Sequence, residues 1–99
     1  MNMETELRDQ VQDWLADWFI ARGKLTKEIG ESAPEKLRST DYFEAGWLTS
    51  MEVVEFVTEI ERHFGMQFSE SDLQNPRFVT IAGLAELILV RSTQASQSR

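Results

Sequence analysis

Thr49-Ser-Met-Glu-Val-Val-Glu-Phe-Val-Thr-Glu-Ile-Glu-Arg-His-Phe-Gly65 is the stretch that decides the fold. Thr49 followed three residues later by Glu52 fits a capping box, in which the hydroxyl caps a free backbone N–H and the carboxylate reaches back. Val53, Val57, Ile60 and Phe64 then form one apolar stripe at helical spacing. Gly65, directly after Arg62-His63-Phe64, supplies the stop. The spacing therefore predicts a helix over 50–64. Glu52, Glu55, Glu59 and Arg62 lie off the stripe, Met51 falls roughly opposite it, and Val54 lies at its flank.

Upstream, Asp41-Tyr-Phe-Glu-Ala-Gly-Trp-Leu48 is rich in aromatic residues that should pin it to a core. Met3, Leu7, Val11, Trp14, Leu15, Trp18 and Phe19 form a second helical stripe, which Arg22 and Gly23 bring to an end. Residues 24–49 have broken periodicity. A structureless connection of that length is unusual, so a short helical turn is expected near Pro34 to Leu37. Downstream, Ser69-Glu-Ser-Asp72 starts a short third helix that Asn75-Pro76 cuts off. Thr80 can cap a last helix whose core face is Ile81, Leu84, Ala85 and Ile88. Gly83 within it costs about 1 kcal/mol relative to alanine. Ser92 to Arg99 is polar and is expected to be a flexible, frayed tail. No strand pattern of comparable quality occurs. The reading is an all-α bundle of three longer helices and one short one, as a single domain over 1–91 with a tail over 92–99.

Composition removes several classes of function. The 99 residues carry 17 acidic and 10 basic side chains, a net charge of -7, which argues against nucleic acid as a partner. There is no cysteine, hence no disulfide framework, redox pair or thiolate metal site. Leu84 to Val90, the longest strongly apolar run, contains Glu86 and is far below the roughly 20 residues a membrane span needs. The N-terminal residues lack the basic start and apolar run of a signal peptide, so a soluble cytoplasmic domain is expected.

The chemistry the residues permit is narrow. His63, the single histidine, lies 13 positions beyond Ser50 on one predicted helix, about 20 Å away, so the two cannot pair as base and nucleophile. No phosphate-cradling glycine loop, serine elbow or metal-ligand spacing is present. His63 reads as a charge that complements a helix C-terminus. Ser50 itself sits at a helix start after an aromatic loop, where a phosphate ester would meet the positive end of the helix dipole. The plainer alternative is that Thr49 and Ser50 merely begin the helix. Likewise, an exposed Met51 beside a ridge of glutamates suits a docking surface for a basic partner, or is a solvated face with one stray methionine. Residues 50–64 hold four glutamates against one arginine, so part of the global acidity is concentrated on this helix.

The run from Asp41 to Met66 resembles the acyl carrier protein family, which has a Gly, then Asp-Ser-Leu/Met, then a helix ending in a Glu-x-x-Phe-Gly pattern like Glu61-Arg-His-Phe-Gly65. Phe68-Ser-Glu-Ser-Asp-Leu73 and Phe78-Val-Thr-Ile-Ala-Gly-Leu-Ala-Glu-Leu-Ile88 are similar to the family's third and fourth helices. The resemblance covers about residues 41–90 and implies an acyl-carrier-like four-helix bundle with a long first loop. It also implies that Ser50 receives 4'-phosphopantetheine from coenzyme A, and that acyl or aminoacyl groups ride on that arm as thioesters. The implied partners are a phosphopantetheinyl transferase and enzymes that load or unload the arm through basic docking patches. Met51, Glu52, Val54, Glu55 and Glu59 would be their contacts. The Gly46-x-x-x-Ser50 spacing looks closer to D-alanyl and other specialised discrete carriers. Thr49 is a departure, since the family usually has Asp there. It leaves the fold intact and bears on recognition by a general transferase. The expectation is a monomeric carrier in fatty-acid or secondary-metabolite biosynthesis, not an enzyme. The rival is a carrier-like adaptor that has lost modification. The Gly23–Ser39 loop would serve a dedicated partner or be a tolerated insertion.

Overall fold

The structure, a computed structural model, describes residues 3–23 and 34–97, with side chains over 6–23 and 35–92. Among these residues every regular element is helical. Helix α1 spans Met3–Ala21, α2 Pro34–Ser39, α3 Val53–Phe64, α4 Glu70–Leu73 and α5 Ile81–Gln97, with a 3-10 turn over Pro76–Val79 between the last two. The three long helices, the short one after Ser69 and the turn near Pro34 are those the sequence predicts. Most of the expected Gly23–Ser39 loop, residues 24–33, lies outside the described residues.

Three elements depart from expectation. Helix α3 begins at Val53, not at residue 50, and Thr49 to Glu52 form a turn ahead of it. The physical reason lies in the cap. The Glu52 amide bonds the Thr49 carbonyl at 3.0 Å, an i to i-3 closure that is tighter than an α-helical one. Second, the Asn75-Pro76 break does not lead straight to Thr80. The Asn75 side chain accepts from the Arg77 amide at 2.9 Å and Pro76 opens the 3-10 turn, since a proline at the first helical position loses no needed N–H. Third, the backbone stays helical to Gln97, past the polar boundary at Ser92. Extending a formed helix adds one hydrogen bond per residue fixed and needs no apolar face.

The core sits where α1, α3 and α5 meet. Val11, Leu15, Trp18 and Phe19 come from α1, Phe56 and Ile60 from α3, and Ile81, Leu84, Ala85, Leu87 and Ile88 from α5, all buried. Phe56 is completely buried and belongs to the same face as Val53, Val57 and Ile60, though the four-three-four spacing passes over it. Phe19, Tyr42 and Phe56 form an aromatic triangle with centroids 5.3–5.8 Å apart, a spacing at which ring pairs attract beyond simple burial. His63 lies on the surface, stacked on Trp14 at 4.8 Å.

Candidate functional site

The loop that delivers Ser50 is built residue by residue from its own sequence. Asp41 opens it as an Asx turn, its Oδ1 accepting from the amides of Phe43 at 2.9 Å and Glu44 at 3.1 Å. Tyr42 drives into the core with no exposed surface, donating its hydroxyl to the Phe78 carbonyl and its amide to the Val79 carbonyl at 3.0 Å. Burial, aided by the nearby Asp41 charge, pushes the Tyr42 hydroxyl well above the usual phenol range. Gly46 then turns the chain at φ +80°, a left-handed conformation that a side chain would oppose. The turn brings the amides of Trp47 and Leu48 back to the Tyr42 carbonyl, at 2.9 and 3.3 Å.

Leu48 is buried again, and the chain re-enters the core at Phe56. Between these anchors, Thr49, Ser50 and Met51 are exposed. No hydrogen bond from another described residue holds the Ser50 hydroxyl. The capping box is half of what its sequence suggests. The Thr49 amide and the Thr49 hydroxyl both donate to Glu52 Oε1, each at 3.1 Å. The carboxylate does reach back, but the hydroxyl serves the carboxylate and not a backbone N–H.

Met51 on the turn and Val54 at the start of α3 are 90% and 73% exposed, which is unusual for large apolar side chains. Glu55 and Glu59, farther along the same helix, share one cation. Arg22 pairs with Glu55 and with Glu59 at 2.6 Å. Arg22 lies just past the end of α1, and its guanidinium is 4.2 Å over the Trp18 ring. Of the five residues expected to meet partners, Met51 and Glu52 lie on the turn and Val54, Glu55 and Glu59 on α3. Arg22 joins the last two, a residue that the sequence reading takes only for a helix-terminal charge. The Trp18-to-Arg22 step of four is the signal that marks it.

At the far end of α3, the Glu61 carbonyl accepts from Gly65 and Met66 at 2.9 and 3.2 Å, and its carboxylate accepts from the Phe68 amide at 2.9 Å. Gly65, at φ +65°, makes that reversal possible. Beyond it, the Ser69–Asp72 capping box is complete in both directions, and Asp72 is also held by Arg91 of α5.

An exposed hydroxyl on a rigidly anchored turn, ahead of a helix whose dipole is positive toward it, suits a covalently tethered phosphodiester. Among the described residues there is no cluster of His, Cys, Asp and Glu that could hold a metal ion, and no helix is long and apolar enough to cross a membrane. A family model described as a phosphopantetheine attachment site matches residues 22–88. The comparisons with curated proteins and with solved structures give no match.

Proposed function

The chain belongs to the phosphopantetheine attachment site family, whose members carry covalent 4'-phosphopantetheine, and on that premise we propose that Ser50 is the acceptor and that the protein is an acyl or aminoacyl carrier. The observation that carries the assignment is the placement of Ser50, exposed between the buried anchors Leu48 and Phe56 and free of any hydrogen bond from another described residue. The serine hydroxyl would form the ester to the arm. The thiol that holds the cargo is the arm's own, which suits a chain with no cysteine. The protein's part is to display the ester on a fixed turn and to offer α3 as the recognition surface. A phosphopantetheinyl transferase would form the phosphodiester to Ser50, and thioester chemistry on the arm would fall to further partner enzymes, all of them meeting Met51, Glu52, Val54, Glu55 and Glu59.

Thr49, where the family usually has Asp, bears on which transferase acts. The Glu52 carboxylate bound to Thr49 keeps an anionic group next to the acceptor despite the change. Incubation with coenzyme A and a panel of transferases, read by intact mass, tests the assignment. A phosphopantetheine increment lost in Ser50→Ala supports it. No increment with any transferase, nor on protein from its native source, would leave the adaptor reading.

A further inference from the structure

The carboxylates of α3 are not simply displayed to solvent. Arg22 bridges Glu55 and Glu59, and three things fix its position. Its backbone amide bonds the Trp18 carbonyl at 3.3 Å, its guanidinium rests on the Trp18 ring, and the Trp18 side chain is itself wedged against Phe19 and Phe56 at 5.5 and 4.7 Å. Trp18 is buried, so the platform under the guanidinium belongs to the core and moves only if the core does. A planar fork over a fixed ring loses less side-chain freedom on pairing than a free surface cation does. A basic side chain arriving from a partner meets two carboxylates that already share a cation.

Among the described residues, none pairs with the apolar part of this surface in the way Arg22 pairs with the carboxylates. Met51 and Val54 are the two most exposed large apolar side chains among the described residues, at 90% and 73%.

Resting on the carrier reading above, we propose that Arg22 is a built-in competitor for the α3 carboxylates. A partner then engages this face first through an apolar pocket that takes Met51 and Val54, and reaches Glu55 and Glu59 only by displacing Arg22. The fitting partner surface is an apolar depression with few cations, and a strongly basic patch pays a displacement penalty. Arg22 thereby acts as a specificity-determining residue: it lowers the affinity of the carrier for cationic surfaces in general and leaves apolar recognition untouched.

Two measurements test this on the full chain. The first is calorimetric binding of deca-lysine to the unmodified protein, so its result does not depend on whether Ser50 is a substrate. Arg22→Met, which keeps an apolar stem over Trp18, should bind the peptide about threefold or more tightly at low salt. The gain should vanish at high salt and in Arg22→Met combined with Glu55→Gln and Glu59→Gln. Where Arg22→Met does not give the wild-type circular dichroism spectrum, Arg22→Gln carries the same expectation. Equal or weaker peptide binding in a folded Arg22 variant overturns the proposal. The second measurement is the KM of the carrier with a transferase that modifies it. Met51→Ala should raise KM more than Glu55→Gln or Glu59→Gln does, and the reverse order overturns the apolar-first part. If no transferase modifies the wild type and protein from its native source carries no increment, the carrier reading has failed while the peptide result still decides the role of Arg22.

Discussion

The Thr49 amide and hydroxyl converge on a single oxygen, Oε1 of Glu52, at 3.1 Å each. The turn that contains Ser50 is therefore closed by a carboxylate that spans it, in addition to the backbone bond from Glu52 to Thr49. Both side chains are reached by water, so the pair adds little to global stability while it restricts the local geometry of the turn. Glu52→Ala should lower the unfolding free energy by only about 0.5–1 kcal/mol in urea titrations. Its effect on the rate of Ser50 modification should be several-fold. Thr49→Ser, which keeps both donors, should behave as the wild type in both measurements. A Glu52→Ala protein modified at the wild-type rate would show that the brace has no part in presenting Ser50.

Asp72 is held more firmly. It is buried, it receives Arg91 Nε on Oδ2 at 2.7 Å and Nη2 on Oδ1 at 2.8 Å, and it accepts the Ser69 amide at 2.8 Å. The Arg91 hydrogen bonds, followed by those from Ser69, outweigh burial and hold its carboxyl below the ordinary value of 3.8. A carboxyl whose folded pKa is depressed contributes stability that is complete above its unfolded pKa and is lost as the pH falls through the folded value. The contribution should be constant at neutral pH, begin to decline near pH 4 and be gone below the folded pKa. Asp72→Ala should cost about 2 kcal/mol at neutral pH and should flatten the acid limb of the stability curve. Urea titrations repeated from neutral to acid pH check both, and an acid limb unchanged in Asp72→Ala would rule out this residue as its source.

The Asp72 contact also shows what the sequence makes legible and what it does not. Ser69 and Asp72 are three apart, so a local rule finds their capping box, and the structure has both of its bonds. Arg91 lies 19 positions away and no local pattern links it to Asp72. The same division runs through the candidate site. Thr49, Glu52 and the exposed Met51 and Val54 follow from helical periodicity and spacing on one element. The clamp from Arg22 to Glu59 spans 37 positions and needs α1 and α3 to be packed first. Phe56 escapes the pattern for a different reason. An apolar face is wider than one row of residues, and the row through Val53, Val57 and Ile60 leaves the fully buried Phe56 outside it. The helix starts at 53 and not at 50, because a capping box and a turn braced by the same two residue types have the same sequence.

Tyr42 ties the loop before Ser50 to the 3-10 turn, through its hydroxyl to the Phe78 carbonyl and its amide to the Val79 carbonyl. Tyr42→Phe keeps the ring in the aromatic triangle and removes only the hydroxyl, leaving a buried carbonyl without that donor. The loss should be about 1–2 kcal/mol in the unfolding free energy, with no change in the helical content by circular dichroism. If the variant were as stable as the wild type, the anchoring of this loop by the Tyr42 side chain would have to come from the ring alone, without the hydroxyl.

Gly83 gives the prediction in which local propensity and tertiary packing oppose each other. It lies inside α5, where alanine would favour the helix by about 1 kcal/mol. A methyl group there would stand 2.4 Å from the Arg77 carbonyl oxygen and 2.8 Å from the Arg77 Cα, both of them backbone atoms of the 3-10 turn that cannot swing aside. The first turn of α5 is fixed in place at the same point, with the Thr80 hydroxyl accepting from the Gly83 amide at 3.0 Å. Gly83→Ala must therefore push the 3-10 turn off the helix, disturbing Phe78 in the core and with it the carbonyl that anchors Tyr42. Overpacking of this kind costs about 1–3 kcal/mol, enough to exceed the propensity gain. The net effect should be a lower melting temperature and a lower urea midpoint. A Gly83→Ala protein more stable than the wild type would mean that the close approach of α5 to Arg77 is not what requires glycine there.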